Sequence, residues 1–447
     1  MSLAAAALLN EQCWCIGTDL PGLQDALDRL LVPAGIAESI RASHPHLFAG
    51  VPVFIAESQR QRIGEVVAAI HRVAALPGWQ AAVLGNAPAL AAHLPGNGGT
   101  FLGVDFHLQL PPAGSGGAAV DSAQLPQLIE INTNPGGALL NILLGRAQQA
   151  CCAPVADAFP DLQNFDTAEA RLRELFFAEW HAAGRAAQLQ HLLICDESPP
   201  TQYLYPEFLL YRDLLGRAGV RVSIADPRAL DWQGGQLLHD GAVVDMVYNR
   251  LTDFALAAPH LGPLRSAWLA DAIVLSPHPR THALFASKRN LVQLSDAAWL
   301  AGIGVDTQTS ALLGASVPPT QLVRRAHANM LWVERKRLFF KPLDGFGSRG
   351  AYRGDKLTRG TFETILDGGY VAQRIVPPSE RVIAQAGTHG DADNALKVDL
   401  RAYTYDGEVL LLAARLYRGQ TTNFRTDGGG FAPVLRAAEG CGCAGGS

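Results

Sequence analysis

Two polar residues near the end of an apolar segment have the types and the spacing of metal ligands. The segment "QLIEINTNPGG" runs from Gln127 to Gly137 and places Glu130 and Asn132 two residues apart. In a β-strand, residues i and i+2 point to the same face, so the two side-chain oxygens would be directed at one spot. Mg²⁺ prefers such oxygens, from one or two carboxylates together with substrate phosphates. A strand that simply ends in an Asn-Pro-Gly turn is the alternative.

An earlier segment can bring a third oxygen ligand to the same place. In "LPGNGGTFLGVDFHLQL" a glycine-rich turn leads into an alternating strand that carries Asp105, and the loop "PPAGSGGAAVDSAQ" joins it to the "QLIEIN" strand. Two strands joined by one loop pair antiparallel, so we expect Asp105 beside Glu130 and Asn132. The sequence therefore predicts an Asp-Glu-Asn metal site.

A glycine-rich segment further along the chain has the composition of a phosphate-binding loop. "KPLDGFGSRG" contains a G-x-G-x-x-G pattern at Gly345, Gly347 and Gly350. A dinucleotide-binding loop needs a helix after it, whereas "AYRGDKL" predicts a second strand or a turn. We therefore expect a hairpin loop, including Ser348, whose backbone N–H groups cover phosphates, with Lys341 as the adjacent positive charge. An ordinary glycine turn beside a surface lysine remains the alternative.

Three more residues are candidates for contact with a nucleotide. Lys288 precedes a helical stretch, and Gln373 lies in "YVAQRIVPP", a strand that meets a Pro-Pro stop. Such a segment can act as a hinge whose backbone edge contacts a purine, and Glu380 follows closely enough to reach a ribose hydroxyl. For each of these residues an ordinary structural role is more common than a functional one.

The composition is that of a globular protein large enough for several domains. The chain has 447 residues, 48% of them hydrophobic and 17% charged, which excludes a disordered protein. The net charge of −5 gives no reason to expect nucleic acid or an anionic membrane as a partner. An odd number of scattered cysteines indicates reduced thiols. Together with an N-terminus that lacks a basic region and the absence of a long apolar segment, they predict a cytoplasmic protein. Nothing in the sequence indicates an oligomeric state.

The order of patterns along the chain predicts four regions and a tail. Helical periodicity dominates the beginning, and the strand–helix–strand pattern from "HLLICDESPP" to "AVVDMVYNR" predicts a βαβ unit with a parallel sheet. Strands alternate with glycine-rich turns in the last third. The predicted regions are a helical region at 1–95, strands carrying the metal site at 96–188, an α/β domain at 189–270, a nucleotide-binding region at 271–437 and a flexible tail at 438–447.

The order of the motifs resembles that of the ATP-grasp fold. A lysine, a helix ending in "AGI", Lys-Pro with a glycine-rich loop, a glutamine-containing hinge, "VDLRAYTYDGEV" and "AARLYRG" follow one another. The segments "VDFHL" and "LIEINTNPG" are similar to the metal-binding strands of D-alanine–D-alanine ligases and their relatives, where these strands come last. Here they come first, well before Lys288. The chain thus resembles a circularly permuted ATP-grasp protein of the glutathionylspermidine synthetase group.

This resemblance implies an α/β (α+β) architecture, with a circularly permuted ATP-grasp fold and a Rossmann-like pre-ATP-grasp domain at 189–270. It also implies two cofactors, ATP and Mg²⁺. The chain departs from the relatives at two positions, because Gly103 stands where they often have an arginine and Arg374 stands where the hinge often has an acid. The implied contacts are Asp105, Glu130 and Asn132 to Mg²⁺, Lys288 and Lys341 to the phosphates of ATP under the 345–350 loop, and the Gln373 region to adenine.

The activity that the resemblance implies is that of an ATP-dependent carboxylate–amine ligase. Such enzymes phosphorylate a carboxylate, and an amine then attacks the acyl-phosphate to give an amide, ADP and phosphate. Catalysis of this kind rests on positioning and on neutralising charge. Arg250, Arg401 and Arg415 are candidates for holding the carboxylate or the acyl-phosphate, because a guanidinium binds such groups bidentately. The expected partners are ATP and a small-molecule or peptide carboxylate and amine.

Two other functions stay open on the same resemblance. One is an ATP-grasp phosphotransferase, and the other is a nucleotide-binding accessory protein without ligase turnover. A ligase releases ADP only when both of its substrates are present, and this requirement separates it from the other two.

Overall fold

The structure of the chain is a computed structural model that describes residues 3–12, 20–32, 35–108, 125–151, 164–343, 345, 350–383 and 395–436. The tail predicted at 438–447 lies outside the described residues, and so do Gly347 and Ser348.

Helices and strands alternate through most of the described residues. The helices are α1 Leu3–Gln12, α2 Leu20–Leu31, α3 Ala37–Ser43, α4 Glu57–Ala74, α5 Pro77–Leu84, α6 Ala138–Cys151, α7 Phe165–Ala182, α8 Tyr205–Gly216, α9 Gly262–Leu269, α10 Pro279–Thr281, α11 Asn290–Leu294, α12 Ala297–Gly302, α13 Thr307–Ser316, α14 Ala328–Glu334 and α15 Arg359–Leu366. A π-helical turn, His282–Ala286, directly follows α10. The strands are β1 Val53–Ile55, β2 Leu102–His107, β3 Gln127–Asn132, β4 His191–Cys195, β5 Arg221–Ala225, β6 Leu230–Gln233, β7 Gln236–His239, β8 Ala242–Val243, β9 Met246–Asn249, β10 Val274–Ser276, β11 Thr320–Leu322, β12 Leu338–Pro342, β13 Tyr352–Arg353, β14 Tyr370–Arg374, β15 Ser379–Val382, β16 Ala395–Tyr405, β17 Glu408–Tyr417 and β18 Gly430–Arg436.

A seven-stranded sheet combines strands from both ends of the chain. Its order is β1-β18-β17-β16-β2-β3, and β15 also pairs with β16. The strand pairs are antiparallel except for β1 and β18, which are parallel. The region 1–95, predicted as helical, therefore also contributes an edge strand. The predicted antiparallel pairing of β2 with β3 is confirmed.

Both faces of this large sheet are buried, because successive side chains on a strand point to opposite faces. Leu400 of β16 belongs to an apolar cluster that includes residues of α4. Tyr403 belongs to a different cluster, which includes residues of α6. Asp399 and Arg401 lie on the Tyr403 face, and we call this the polar face of the large sheet.

A second sheet is parallel throughout, as the strand–helix–strand pattern predicts. Its order is β10-β9-β4-β5, and α8 connects β4 to β5. Every residue of β4 and β9 is buried, which is typical of a parallel sheet covered on both faces. The three-stranded antiparallel sheet β6-β7-β8 is inserted between β5 and β9.

A small antiparallel sheet, β11-β14-β12-β13, carries the predicted nucleotide segments. Phe340 of β12 packs edge-on against Phe362 of α15, with 6.0 Å between the ring centroids. Strand β13 follows Gly350 closely, and α15 begins only at Arg359. The expectation of a strand or turn after the glycine-rich loop is confirmed, and the chain is a mixed α/β protein with several sheets.

None of the helices in the described ranges is by itself long and apolar enough to cross a membrane. Helices α4 and α5 pass that test of length and composition only when they are taken together, and they are bent by 75° at the break between them.

Candidate active site

A cavity of ≈ 390 Å³ lies between the polar face of the large sheet and the small antiparallel sheet. We call it the first cavity. Side chains from β2, β3, β16 and β17 line one side of it, and side chains from β12 and β14 line the other. The predicted site residues that line it are Asp105, Glu130, Asn132, Lys288, Lys341, Gly345, Gln373, Arg401 and Arg415.

The three predicted metal ligands are brought together by strand register. Asp105 of β2 lies opposite Glu130 of β3 on one side and opposite Arg401 of β16 on the other. The amide nitrogen of Asn132 donates to Asp105 Oδ2 at 3.2 Å and to Glu130 Oε1 at 3.4 Å. The two carboxylates therefore meet at one amide group, in the arrangement that the hairpin pattern predicts.

Asp105 is already engaged by two arginines. Arg401 donates from Nε to Oδ1 at 2.6 Å and from Nη2 to Oδ2 at 2.7 Å, and Arg415 Nη2 donates to Oδ2 at 2.8 Å. Burial disfavours the charged carboxyl, but the two guanidiniums outweigh it and hold the pKa of Asp105 below its usual value. Since both of its oxygens are paired, Asp105 is less available to a metal than Glu130.

Asp399, which was not predicted as a site residue from the sequence, lines the same cavity. Its Oδ2 accepts hydrogen bonds from Arg415 Nη2 at 2.6 Å and from Thr422 Oγ1 at 2.7 Å. Its Oδ1 is buried and has no partner among the described residues. Burial raises the pKa of this carboxyl, against the opposing effect of Arg415. Asp399 lies two residues before Arg401, and this i, i+2 spacing is the signal that could have identified it.

Lys341 projects from β12 and is held by two acceptors. Its Nζ donates to the carbonyl oxygen of Ile129 and to Gln373 Oε1, both at 2.8 Å. Ile129 is the extra residue of a β-bulge, which leaves its carbonyl free for this bond. An ammonium group has three donors, so one N–H remains for a ligand. Burial lowers the pKa of Lys341 to about 8.

Lys288 approaches the cavity from the segment after the π-helical turn. Its Nζ donates to the carbonyl oxygen of Gly345 at 2.7 Å. This bond connects the loop before α11 with the start of the glycine-rich segment. The two predicted phosphate lysines thus line one cavity although they come from separate parts of the fold.

The hinge segment after β14 also lines the cavity, but two of its N–H groups are used within the protein. The N–H of Arg374 donates to Pro319 O at 2.9 Å, and that of Ile375 donates to Arg337 O at 2.8 Å. By contrast, Nε2 of Gln373 is buried without a partner among the described residues. The side chain of Gln373 is therefore the better placed group for contact with a purine.

Three predicted residues do not line the first cavity. Arg250 is buried beneath the turn after β3, where Nη1 donates to Pro135 O at 3.0 Å and to the Tyr248 hydroxyl at 3.1 Å. Glu380 is exposed on β15 and lies opposite Lys397. Gly350 adopts a positive φ of 70° next to β13. Burial of Arg250 in the turn and the outward position of Glu380 keep both side chains away from the other predicted residues.

Arg401 also occupies space next to Gly103, where the relatives often have an arginine. A Cβ at Gly103 would lie 2.7 Å from Pro135 Cβ and 3.2 Å from Arg401 Nε. A side chain at position 103 would therefore collide with its neighbours. The guanidinium beside Asp105 comes from the adjacent strand β16 instead.

The fold is similar to that of a glutathione synthetase-like effector. The apoform structure of that protein (GSS30, from Globodera pallida) matches with a TM-score of 0.52 at 12% identity, covering 87% of this chain and 90% of the other. Such a low identity supports the fold alone. A putative gamma-glutamylcysteine synthetase from Methylobacillus flagellatus matches with a TM-score of 0.44 at 12% identity, covering 84% of this chain and 87% of the other, and a likeness at that level supports no inference. No protein-family model and no curated protein matches the sequence.

The donor set of the first cavity fits Mg²⁺ bound together with phosphates. Among the described residues, no group of three or more His, Cys, Asp and Glu side chains could hold a metal ion by itself. Mg²⁺ usually takes one or two carboxylates and completes its octahedron with phosphate oxygens and water. Glu130, the amide oxygen of Asn132 and the unpaired Oδ1 of Asp399 are oxygens of this kind.

Proposed function

We propose that the chain is an ATP-dependent ligase that joins a carboxylate to an amine through an acyl-phosphate and releases ADP and phosphate. The observation that carries this proposal is a concentration of unpaired polar atoms. Gln373 Nε2, Asp399 Oδ1 and Arg415 Nε are buried without partners among the described residues, and all three residues line the first cavity. A buried polar atom left unpaired costs ~1–3 kcal/mol, so a ligand that pairs with these atoms gains affinity.

In this proposal ATP lies across the first cavity, between the two sheets. Adenine contacts Gln373 and the hinge segment 374–376, and the phosphates contact Lys341 and Lys288. The volume of ≈ 390 Å³ is within the usual range for small-molecule sites. The sequence predicts that the 345–350 loop, most of which lies outside the described residues, covers the phosphates. The position of β2 and β3 before β15–β18 in the chain, within one sheet, supports a circularly permuted ATP-grasp order.

Glu130, Asn132 and Asp399 would hold Mg²⁺, which supplies charge neutralisation at the phosphates when it is bound. Asp105 contributes by fixing the two guanidiniums that face the cavity. Its bonds to Arg401 and Arg415 keep both arginines in one orientation, which is the preorganisation that phosphoryl transfer requires.

Arg401 and Arg415 would hold the acyl-phosphate once it has formed, because a guanidinium binds such groups bidentately. A carboxylate oxygen forms a bond to the γ-phosphorus as the bond to ADP breaks. The amine nitrogen then bonds to the acyl carbon, phosphate leaves with its oxygen, and the nitrogen loses a proton. The Nε–H of Arg415 has no partner in the part of the chain that the structure describes and can donate to the charge developing on these oxygens.

The test is release of ADP from ATP in the presence of amino acids, polyamines and short peptides, singly and in pairs. The proposal expects release only when a carboxylate and an amine are both present, with an amide as the second product. Glu130→Gln should abolish this release, whereas Glu38→Gln, at an exposed site on α3, should not change it. A phosphorylated product formed without an amine would establish a phosphotransferase. ATP binding without any release would establish an accessory protein.

A further inference from the structure

A second cavity, also of ≈ 390 Å³, lies beside the first. The two cavities share Gly345 in their walls. The second cavity is bounded by the segment Thr252–Ala255, by the π-helical turn, and by residues that follow α5. Among the described residues assigned above to the nucleotide or to the metal, Gly345 alone lines it.

Its position is one where ligands collect in parallel sheets. Strands β9 and β10 are parallel neighbours that end at Asn249 and Ser276. The segments that follow both strands form the walls of the second cavity, which therefore lies beyond the carboxyl ends of the parallel sheet. This position at the carboxyl ends of parallel strands is a second reason, besides the cavity volume, to expect a binding site here.

The residues that follow β3, the strand of Glu130 and Asn132, form hydrogen bonds to segments around the second cavity. The amide nitrogen of Asn134 donates to the carbonyl oxygens of Arg250 at 3.2 Å and of Leu251 at 3.1 Å. The hydroxyl of Thr133, which follows Asn132, lies 3.3 Å from His282 Nδ1. The strand that carries Glu130 and Asn132 is thus joined by hydrogen bonds to the segment after β9 and to the π-helical turn, which form walls of the second cavity.

One wall of the second cavity is a flat aromatic surface. The rings of Phe254 and His282 stack with 3.9 Å between centroids and 5° between planes. Burial lowers the pKa of His282 to about 3, with Lys288 acting in the same direction, so the imidazole is neutral. Val83 and Ala87 add aliphatic surface. This wall suits the apolar part of a small molecule.

The second cavity is lined by one arginine that has no ion-pair partner among the described residues, and by one aspartate whose two oxygens are occupied by backbone N–H groups. Both oxygens of Asp253 accept backbone hydrogen bonds, from Ala255 N at 3.2 Å and from Ala258 N at 2.8 Å. Arg289 lines the cavity and forms no ion pair within the part of the chain that the structure describes. An anionic group is the complement of such a site.

We propose that the second cavity binds the carboxylate substrate of the ligase, an acid with a small apolar body. Arg289 receives the carboxylate, and the Phe254–His282 surface receives the apolar part. The common wall at Gly345 places this acid beside the nucleotide in the first cavity. The assignment as a substrate rests on the proposed function, whereas carboxylate binding does not.

Binding is measured by saturation-transfer NMR on the full chain with butyrate, hexanoate and the corresponding primary amides. The acids should bind more tightly than the amides, which have the same shape without the charge. Arg289→Gln should weaken acid binding at least about tenfold, since a charge-assisted pair is lost. Arg324→Gln, at an exposed arginine, is the matched control. Ala255→Leu narrows the cavity and should weaken hexanoate more than butyrate.

Equal binding of the acids to wild type and to Arg289→Gln would overturn the proposal, and so would no binding to wild type. Should Arg289→Gln fail to fold, the size preference in Ala255→Leu gives the same decision. Acid binding without ADP release from any substrate pair would remove the ligase function and retain an acid-binding cavity. ADP release with an unchanged KM for the acid in Arg289→Gln would retain the ligase and remove this substrate site.

Discussion

Lys341 shows how burial prepares a side chain for a ligand. Two of its three donors hold Ile129 O and Gln373 Oε1, so the ammonium has a fixed position. Burial lowers its pKa to about 8, which means that the folded protein holds this proton less tightly than the unfolded chain. Stability should accordingly rise as the pH increases through and above about 8, because the penalty for burying the charge disappears.

Replacement of this lysine tests the nucleotide site. Lys341→Met keeps the apolar stem and removes the charge, so ATP affinity should fall about tenfold or more. Lys336→Ala, in the exposed run after α14, should change little. Titration calorimetry compares the two, and equal losses would remove the special role of Lys341.

Because the pKa of Lys341 is lowered, we expect ATP binding to depend on pH. A phosphate pairs with the ammonium form only, so wild-type affinity should start to weaken as the pH rises above about 8. In Lys341→Met this weakening should be absent. Affinities measured by fluorescence with an ATP analogue between pH 7 and pH 10 check it (roughly the range over which a lysine with a lowered pKa titrates).

Substitution of Asp105 alone should lower the free energy of unfolding by a large amount. Asp105→Asn leaves Arg401 buried without its counter-charge and leaves Arg415 with Asp399 as its remaining acidic partner, which should cost about 3–5 kcal/mol. Asp166→Asn removes one of the two carboxylate partners of Arg146 at an exposed site, where about 0–1 kcal/mol is expected. Urea denaturation gives both values, and similar costs would show that the buried pair contributes no more than the exposed one.

At the scale of elements, the turn after β3 fixes the direction in which the metal strand leaves the site. The buried carboxylate of Glu207 accepts hydrogen bonds from Gly137 N at 2.7 Å and from Leu139 N at 3.1 Å, at the start of α6. The hydroxyl of Tyr403 donates to Gly136 O at 2.8 Å. This turn is held by α8 and β16, so the position of Asn132 depends on both.

Gly137 is the most constrained position of this turn. Its φ is +100°, and a Cβ there would lie 2.2 Å from Phe431 Cζ. Gly137→Ala should therefore destabilise the protein by more than the ~1–2 kcal/mol of backbone strain alone. Gly235 also has a positive φ but faces open space, so Gly235→Ala should lower stability by the backbone strain alone. Thermal unfolding separates the two, and a smaller loss at Gly137 would contradict the close packing.

The elements that the sequence predicts correctly depend on local patterns. Alternation and one connecting loop give the β2–β3 hairpin, and a buried strand–helix–strand run gives the parallel sheet. Asp399 and the bulge at Ile129 were not predicted. The pairing of Arg401 with Asp105 joins residues 296 apart in sequence, and no local pattern carries such information. Arg250 was predicted from its place at the end of a strand and Glu380 from its place after the hinge, and neither side chain lines the first cavity.

At the scale of the molecule, the first cavity requires both ends of the chain. Strand β2 pairs with β16 and with β3, and β1 pairs with β18. A fragment of residues 270–447 would expose both edges of β15–β18 and an apolar face, so it should aggregate. Where it stays soluble, it should not bind Mg·ATP.

Fluorescence titration of the fragment and of the full chain with an ATP analogue tests this dependence. Addition of residues 1–190 as a separate chain should restore part of the binding, since the strands are joined by hydrogen bonds and packing. Near-equal affinity of fragment 270–447 and the whole chain would show an independent C-terminal nucleotide domain.

Because β2 and β3 share a sheet with β16, they must wait for β16 to be synthesised before the sheet can form. Asp105 leaves the ribosome 296 residues before Arg401, which at ~5–20 residues per second is a delay of roughly 15–60 s. During that interval the β2–β3 hairpin has no neighbour for its open edge, and its acid has no counter-charge. The nascent chain therefore exposes an unpaired strand edge, which can associate with other chains, for much of translation. Holdase chaperones that cover such edges should raise the yield of folded protein.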